Sequence, residues 1–276
     1  MSNEYIQANI ELHTKLADVY KETEPHYRQE NIERISGILK ELRANTRKSS
    51  LLDIGCGQGF IIDIAKTYYQ KIRGVDVTQS MLDKVNLYSG SGFDIKVSIG
   101  NAENLPFRDN EFDVCTAYAV LHHIYDISAV ASEACRVLKP GGVFYSSLDP
   151  NFYYWDALRS LPDSVDHSEP IRGEMTNTLK KNEELSESYD ISLEVVDRAE
   201  ARKHIDGGFR EEDLINWFND AGFSSVVIEY DWFFGQGKYI HDHRLVDHVE
   251  AIDCYLRELL PISRSLYKYV SVFATK

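Results

Sequence analysis

From Leu12 to Leu42 apolar residues recur at helical spacing (Leu12, Leu16, Val19, then Ile32, Ile35, Ile38, Leu39, Leu42), and Pro25 divides the run into two predicted helices. Beyond Lys48 the pattern changes to short apolar runs. Those over Ser50–Ile54, Lys71–Val75, Asp94–Ile99, Phe112–Ala117 and Gly142–Leu148 predict strands, with helices near Phe60–Tyr69, Gln79–Tyr88 and Ile127–Leu138 between them. A further helix is predicted over Arg210–Asp220, stopped by Gly222, then strands over Ser224–Tyr230 and Lys268–Thr275. Strand and helix alternate, which implies the α/β class: a doubly wound, mostly parallel, seven-stranded sheet with helices on both faces.

Two long pieces fall outside this rhythm, 149–208 after the fifth strand and 235–264 after the sixth. Ordinary connections have a median of ~4–6 residues. Both pieces leave the sheet at the carboxyl ends of parallel strands, where open α/β sheets bind ligands, so helical insertions forming a lid are expected there.

The first strand runs straight into glycines at alternate positions: Leu51-Leu52-Asp53-Ile54-Gly55-Cys56-Gly57-Gln58-Gly59. Glycine permits positive φ and close backbone approach, and the helix start that follows offers unpaired N–H groups to a polar ligand. The spacing is G-x-G-x-G with Phe60 next, whereas the nicotinamide dinucleotide fingerprint needs a small residue one position further on, so a dehydrogenase is disfavoured. The second strand, Lys71-Ile72-Arg73-Gly74-Val75-Asp76, ends in an acid 23 residues beyond Asp53. Its carboxylate has two readings: it accepts hydrogen bonds from a ribose diol, or it caps the next helix.

These segments and those that follow, LLDIGCGQG, GVDVTQSML, NAENLPFRDNEFDV, AVLHHI and RVLKPGG in that order, resemble the class I S-adenosylmethionine-dependent methyltransferases, in particular the group containing the quinone-biosynthesis and many small-molecule enzymes. The resemblance covers about Ser50–Leu148 closely and Arg210–Tyr230 weakly. It implies a Rossmann-like methyltransferase fold and S-adenosyl-L-methionine as cofactor, with Asp53, Gly55, Cys56, Gly57 and Gly59 at its methionine and ribose portions and Asp76 at the ribose hydroxyls. Asn101, Ala102 and Glu103 would meet the adenine, with Val77 beside it, and Tyr118 and Leu121 would line the cofactor. The family commonly carries Asp where this chain has Asn101. An amide accepts only through its neutral carbonyl, so a weaker adenine contact is expected.

Methyl transfer from a sulfonium needs alignment and exclusion of water more than catalytic groups, although a hydroxyl or amine acceptor benefits from a base. His122 and His123, at the end of the fourth strand, are candidate bases, with His122 preferred; the alternative is a histidine packed and bonded at a strand end. Asp149, ending the fifth strand, either orients an acceptor or caps the insertion after it. Phe152-Tyr153-Tyr154-Trp155 and Asp231-Trp232-Phe233-Phe234 put aromatic runs on the same edge, so Tyr153, Trp155 and Trp232 are candidate acceptor contacts and an aromatic or apolar small molecule is expected. Tyr20 and Tyr27, in the first helices, would close over the cofactor by the same resemblance, and Tyr20 is carried as a fourth substrate candidate. The alternatives are another transferase using this cofactor and a non-catalytic cofactor-binding module.

Composition narrows the classes. A net charge of -14 and 27% charged residues disfavour nucleic acid as partner, and the densest basic stretch, Arg43–Lys48, reads as a solvated loop. Cys56, Cys115, Cys135 and Cys254 form no CxxC pair, which fits reduced thiols and a cytoplasmic location, and no apolar run is long enough for a membrane span. His241, Asp242, His243, Asp247 and His248 lack a recognised ligand spacing and read as a polar helix face, so no metal is expected. The expected organisation is a helical cap over 1–48, a cofactor-binding core over 49–148, a lid insertion over 149–208, core again over 209–234, a second helical insertion over 235–264 and a last core strand over 265–276.

Overall fold

A computed structural model describes residues 2–46, 50–87, 92, 94–162, 164–239 and 244–276. Its seven strands are β1 (Ser50–Ile54), β2 (Lys71–Asp76), β3 (Asp94–Ile99), β4 (Phe112–Tyr118), β5 (Leu138–Pro150), β6 (Ser225–Phe233) and β7 (Tyr267–Thr275). They form one sheet in the order β3-β2-β1-β4-β5-β7-β6, in which β7 runs antiparallel to both neighbours and the pairs among β1 to β5 are parallel. The doubly wound architecture expected from the sequence is therefore present.

Every residue of β1 and β4 is buried, because both strands are central and covered on two faces. Successive side chains point to opposite faces. Leu51 and Val114 join one core and Leu52 and Cys115 the other, in the register that pairs Leu51 with Ile72 and Val114.

Helices α1 (Ser2–Leu16), α2 (Tyr20–Thr23) and α3 (Gln29–Thr46) precede the sheet, and α4 (Phe60–Ala65), α5 (Gln79–Leu82) and α6 (Ile127–Val137) alternate with its strands. The segment after β5 folds as α7 (Phe152–Arg159), α8 (Glu169–Leu179), α9 (Lys181–Tyr189), α10 (Leu193–Ala199) and α11 (Ala201–His204). Then α12 (Glu211–Asp220) leads into β6, and α13 (Gln236–Tyr239) and α14 (Val246–Glu258) stand between β6 and β7. One core holds α6 and α12 against the sheet through Val130, Ala134, Leu214 and Phe218. The opposite core holds α3 and α4 through Ile35, Leu39 and Ile61.

Two predicted helices are shorter than their apolar periodicity. The turns after α4 bring the amides of Tyr68 and Tyr69 back to the Ala65 carbonyl, and α5 unwinds into turns at Asp83 and Lys84. Tyr88 lies outside the described residues, as do His241, Asp242 and His243; Asp247 and His248 are exposed on α14. No helix among the described residues is long and apolar enough to cross a membrane.

The first helix does not stand apart as a cap. Ala8, Leu12 and Leu16 of α1 pack with Ile191, Val196 and Ala199 in a small core of their own, so α1 and α10 cover the carboxyl edge of the sheet together. A second small core of Tyr154, Trp155 and Leu158 holds α7 beneath α8.

Asn151 clips both insertions to the sheet. It is fully buried, its Nδ2 donates to the carbonyls of Arg264 (2.7 Å) and Tyr267 (2.6 Å), and its Oδ1 caps α7 by accepting the Tyr153 amide (3.1 Å). Asn151→Ala strands two buried carbonyls and one amide. The expected cost is about 3 kcal/mol in urea unfolding, and a loss below about 1 kcal/mol would show that the clip is redundant.

Candidate functional site

The loop after β1 is shaped by three positive φ angles, +66° at Gly55, +49° at Gly57 and +85° at Gly59. At Gly55 there is also no room: a Cβ would lie 2.2 Å from Cγ2 of Val120. Asp76, at the end of β2, ties this loop down. Its Oδ2 accepts the Gly57 N–H (2.9 Å) and its Oδ1 the Thr78 N–H (2.8 Å). Asp76 therefore lines the crevice beside the loop and also holds the Thr78 amide at the entry to α5.

The crevice is bounded by Gly55, Gly57, Asp76, Val77 and the 101–103 turn, with Tyr118 and Val120 from the end of β4. Asn101 Oδ1 already accepts the Glu103 N–H (3.0 Å), so the carbonyl expected to face an adenine is engaged locally. Phe60, the residue that breaks the dinucleotide fingerprint, packs its ring 5.0 Å from those of Tyr118 and His26.

Several sequence-predicted residues stand behind this surface. Leu121 is fully buried in the sheet core, and Val120 takes the crevice position instead. The Cys56 side chain turns inward against Gly74, where a Cβ would lie 2.8 Å from its Sγ. Asp53 is buried beneath the loop and accepts a hydrogen bond from Thr116 Oγ1 (2.8 Å).

Tyr5, Ile6, Asn9 and His13 of α1 roof the crevice. Asn9 Nδ2 donates to the carbonyls of Tyr5 (2.9 Å) and His123 (3.0 Å), which leaves its buried Oδ1 without a partner among the described residues. Beneath this roof the crevice holds about 100 Å³, against ~300–1,000 Å³ for ordinary small-molecule sites, so α1 lies closed across it.

Next to the crevice is a larger cavity of about 750 Å³ that shares His13, Tyr20, Ala119 and His123 with it. Of the four expected acceptor contacts, Tyr20, Trp155 and Trp232 line this cavity and Tyr153 does not. Tyr153 turns outward, with its hydroxyl donating to Glu212 (2.5 Å) and its ring under the Arg264 guanidinium (3.5 Å). The helical turn that points Tyr154 and Trp155 inward must point their neighbour out.

The three candidate catalytic residues lie together: His123 borders both spaces, His122 lines the large cavity, and Asp149 is buried behind His122. Asp149 Oδ1 lies 2.9 Å from His122 Nδ1 and accepts the His122 backbone N–H (3.1 Å), while His123 Nδ1 donates to the Ala199 carbonyl (2.9 Å). Burial pushes the His122 imidazole well below its ordinary range, pushes His123 down to about 4, and pushes the Asp149 carboxyl up, so both rings are uncharged at neutral pH.

Sequence reading missed Glu200 and Lys203. Glu200 Oε2 is 3.9 Å from His122 Nε2 and 3.2 Å from Lys203 Nζ. Burial opposes its charge, yet Lys203 and the histidines hold its carboxyl well below the usual range. His122, His123 and Glu200 bring ligand-type atoms within 4.8 Å of one another, but the Lys203 ammonium already supplies the positive charge this carboxylate requires. Glu200 and Lys203 belong to no motif, and α1 was legible only as an apolar stripe, its site residues being on the other face.

Burial raises the Asp53 carboxyl from the ordinary 3.8 to about 7; Thr116 works against the shift and Asp76 adds to it. The native state therefore holds one more proton than the unfolded chain between those values. Stability falls as pH rises from about 4 to about 7 and then levels. Asp53→Asn is expected to remove that slope and to raise the urea midpoint at pH 8 more than at pH 4. An unchanged slope would mean that Asp53 is ionised throughout.

Comparison with known proteins agrees with this geometry. The methyltransferase-domain family matches residues 52–146. The chain is 26% identical over 182 residues to an uncharacterized methyltransferase, YcgJ, of Bacillus subtilis, covering 65% of this chain and 64% of that one. It is 39% identical over 105 residues to a ubiquinone biosynthesis O-methyltransferase of Paraburkholderia phymatum, covering 37% and 45%. The chain thus spans less than two thirds of the length of these curated relatives. The crystal structure of the Bacillus YcgJ protein shares its fold, with a TM-score of 0.55 at 18% identity over 88% of this chain and 98% of that one. Residues 52–146, from β1 into β5, are thus similar to the methyltransferase-domain family, and the seven-stranded sheet that completes them has the fold of the Bacillus YcgJ protein.

Proposed function

We propose that the protein transfers a methyl group from S-adenosylmethionine to an oxygen of a small molecule, with His122 as the general base. The observation that carries this reading is the Asp149–His122 contact of 2.9 Å beside the large cavity.

The lining of the crevice, rather than its closed volume of about 100 Å³, supports the cofactor reading. Asp76 would accept from the ribose diol, and Gly55 and Gly57 leave the backbone bare beside it. Asp76, the glycine loop and the 101–103 turn would hold the cofactor. The bound cofactor supplies a methyl group on a sulfonium, already activated toward displacement.

Asp149 accepts the Nδ1 proton of His122, which leaves Nε2 as the basic atom. A neutral imidazole is the competent form. Nε2 would take the hydroxyl proton of an acceptor whose oxygen receives the methyl group. His13 and His123 border both spaces, so an acceptor in the cavity lies within reach of a donor in the crevice, and α1 with α10 excludes water from the junction. That one relative is named an O-methyltransferase supports an oxygen acceptor.

The test uses labelled S-adenosylmethionine and a panel of hydroxyl-bearing small molecules. His122→Ala should lower kcat by about 10²–10⁴ and leave cofactor affinity in place, whereas Asp76→Ala should weaken cofactor binding in calorimetry. Unchanged turnover in the His122 variant would remove the base from the mechanism. Unchanged cofactor affinity in the Asp76 variant would remove the crevice.

A further inference from the structure

We infer that the acceptor is a sugar or glycoside, a hydroxyl-rich ring compound rather than the apolar or aromatic molecule that the aromatic runs imply. The inference rests on the methyltransferase reading above and on the lining of the large cavity.

Ordinary small-molecule pockets are mostly apolar with a few convergent polar groups. This cavity carries many more charged groups than that. Five glutamates (Glu24, Glu30, Glu174, Glu184, Glu200) and four cations (Arg28, Lys181, Lys203, Lys268) line it, together with Tyr154, Trp155 and the half-buried Trp232. Two of the ion pairs lie deep: Lys268 Nζ is 2.7 Å from Glu174 and Lys203 Nζ is 3.2 Å from Glu200.

Three classes of occupant meet this wall differently. A phosphate-bearing ligand needs surplus cations, and here the carboxylates outnumber the cations and three of the lysines are already paired with glutamates. An apolar ring system would strip water from the ion pairs and give no hydrogen bonds back. A neutral polyol does neither. Each of its hydroxyls donates to a carboxylate and accepts from an ammonium, guanidinium or indole N–H, and its C–H faces lie flat on aromatic rings.

At about 750 Å³ the cavity has the volume of a full small-molecule site, so more than one ring fits.

Trp232 offers the cleanest probe. It is a half-buried cavity residue held at φ +60° near the end of β6, with the Arg34 guanidinium 5.8 Å from its ring. The full chain, with the demethylated cofactor present, is titrated by saturation-transfer NMR with methyl hexosides and disaccharides, neutral, amino and uronic, and in parallel with catechols and hydroxylated quinones. Saturable glycoside binding is expected, weakened about ten-fold by Trp232→Leu, largely restored by Trp232→Phe, and with cofactor affinity unchanged in both variants. The inference is overturned if no glycoside binds, if only the phenols and quinones bind, or if Trp232→Leu leaves glycoside binding intact. Glycoside binding without transfer of labelled methyl would sink the methyltransferase reading and leave the acceptor class standing. Methylation confined to phenols would do the reverse.

Discussion

The loops after β1 and β4 approach so closely at Gly55 that a single added carbon would overlap the Val120 side chain, at 2.2 Å. This contact sets the floor of the crevice. It requires a residue at position 55 with neither Cβ nor φ penalty, and it places the backbone of the β1 loop beside the end of β4. Asp76 then fixes the loop from the other side through the Gly57 amide, so that three adjacent strands, β2, β1 and β4, contribute to one surface. Displacing any one of these loops would displace the others, because interiors packed at this density pass strain on rather than absorb it.

The same geometry explains how legible the fold was. Strands β1 and β4 appear in the sequence as short apolar runs because central parallel strands are buried on both faces, and the predicted ends of β1 to β4, the exposed edge strand β3 included, fall within one residue of the structure. The helices after β1 and β2 were overread. Apolar spacing continues through Tyr69 and Val85, where the chain keeps its buried face but gives up helical hydrogen bonds for turns. At β5 the strand predicted from Gly142 begins at Leu138, and the Gly141 amide donates to the carbonyl of Lys276, just past the neighbouring β7.

Side-chain direction was less legible than position. A motif such as AVLHHI says that the chain passes the crevice but not which residue looks in, and a one-residue difference decides between Val120 on the surface and Leu121 in the core. Tyr153 and Trp155 differ in the same way on one helical turn. Glu200, Lys203 and the polar face of α1 had no local signal at all. They become neighbours of His122 and His123 only because α1 and α10 share a small apolar core over the carboxyl edge, a pairing of segments some 180 residues apart, and nothing in either stretch alone names its partner.

The placement of the base follows from strand order. His122 comes from the turn after β4 and Asp149 from the end of β5, neighbouring parallel strands, so the two side chains leave the same edge of the sheet next to each other. The crevice lies on their β1 and β2 side and the large cavity on their β5 and β6 side. The β4–β5 boundary lies between the two, so an uncharged imidazole beside a buried carboxyl stands next to both spaces rather than behind either one. The burial that holds the ring neutral also makes its protonated form costly, and two buried carboxyls face the ring from opposite sides, Asp149 2.9 Å from Nδ1 and Glu200 3.9 Å from Nε2, each able to offset part of that cost.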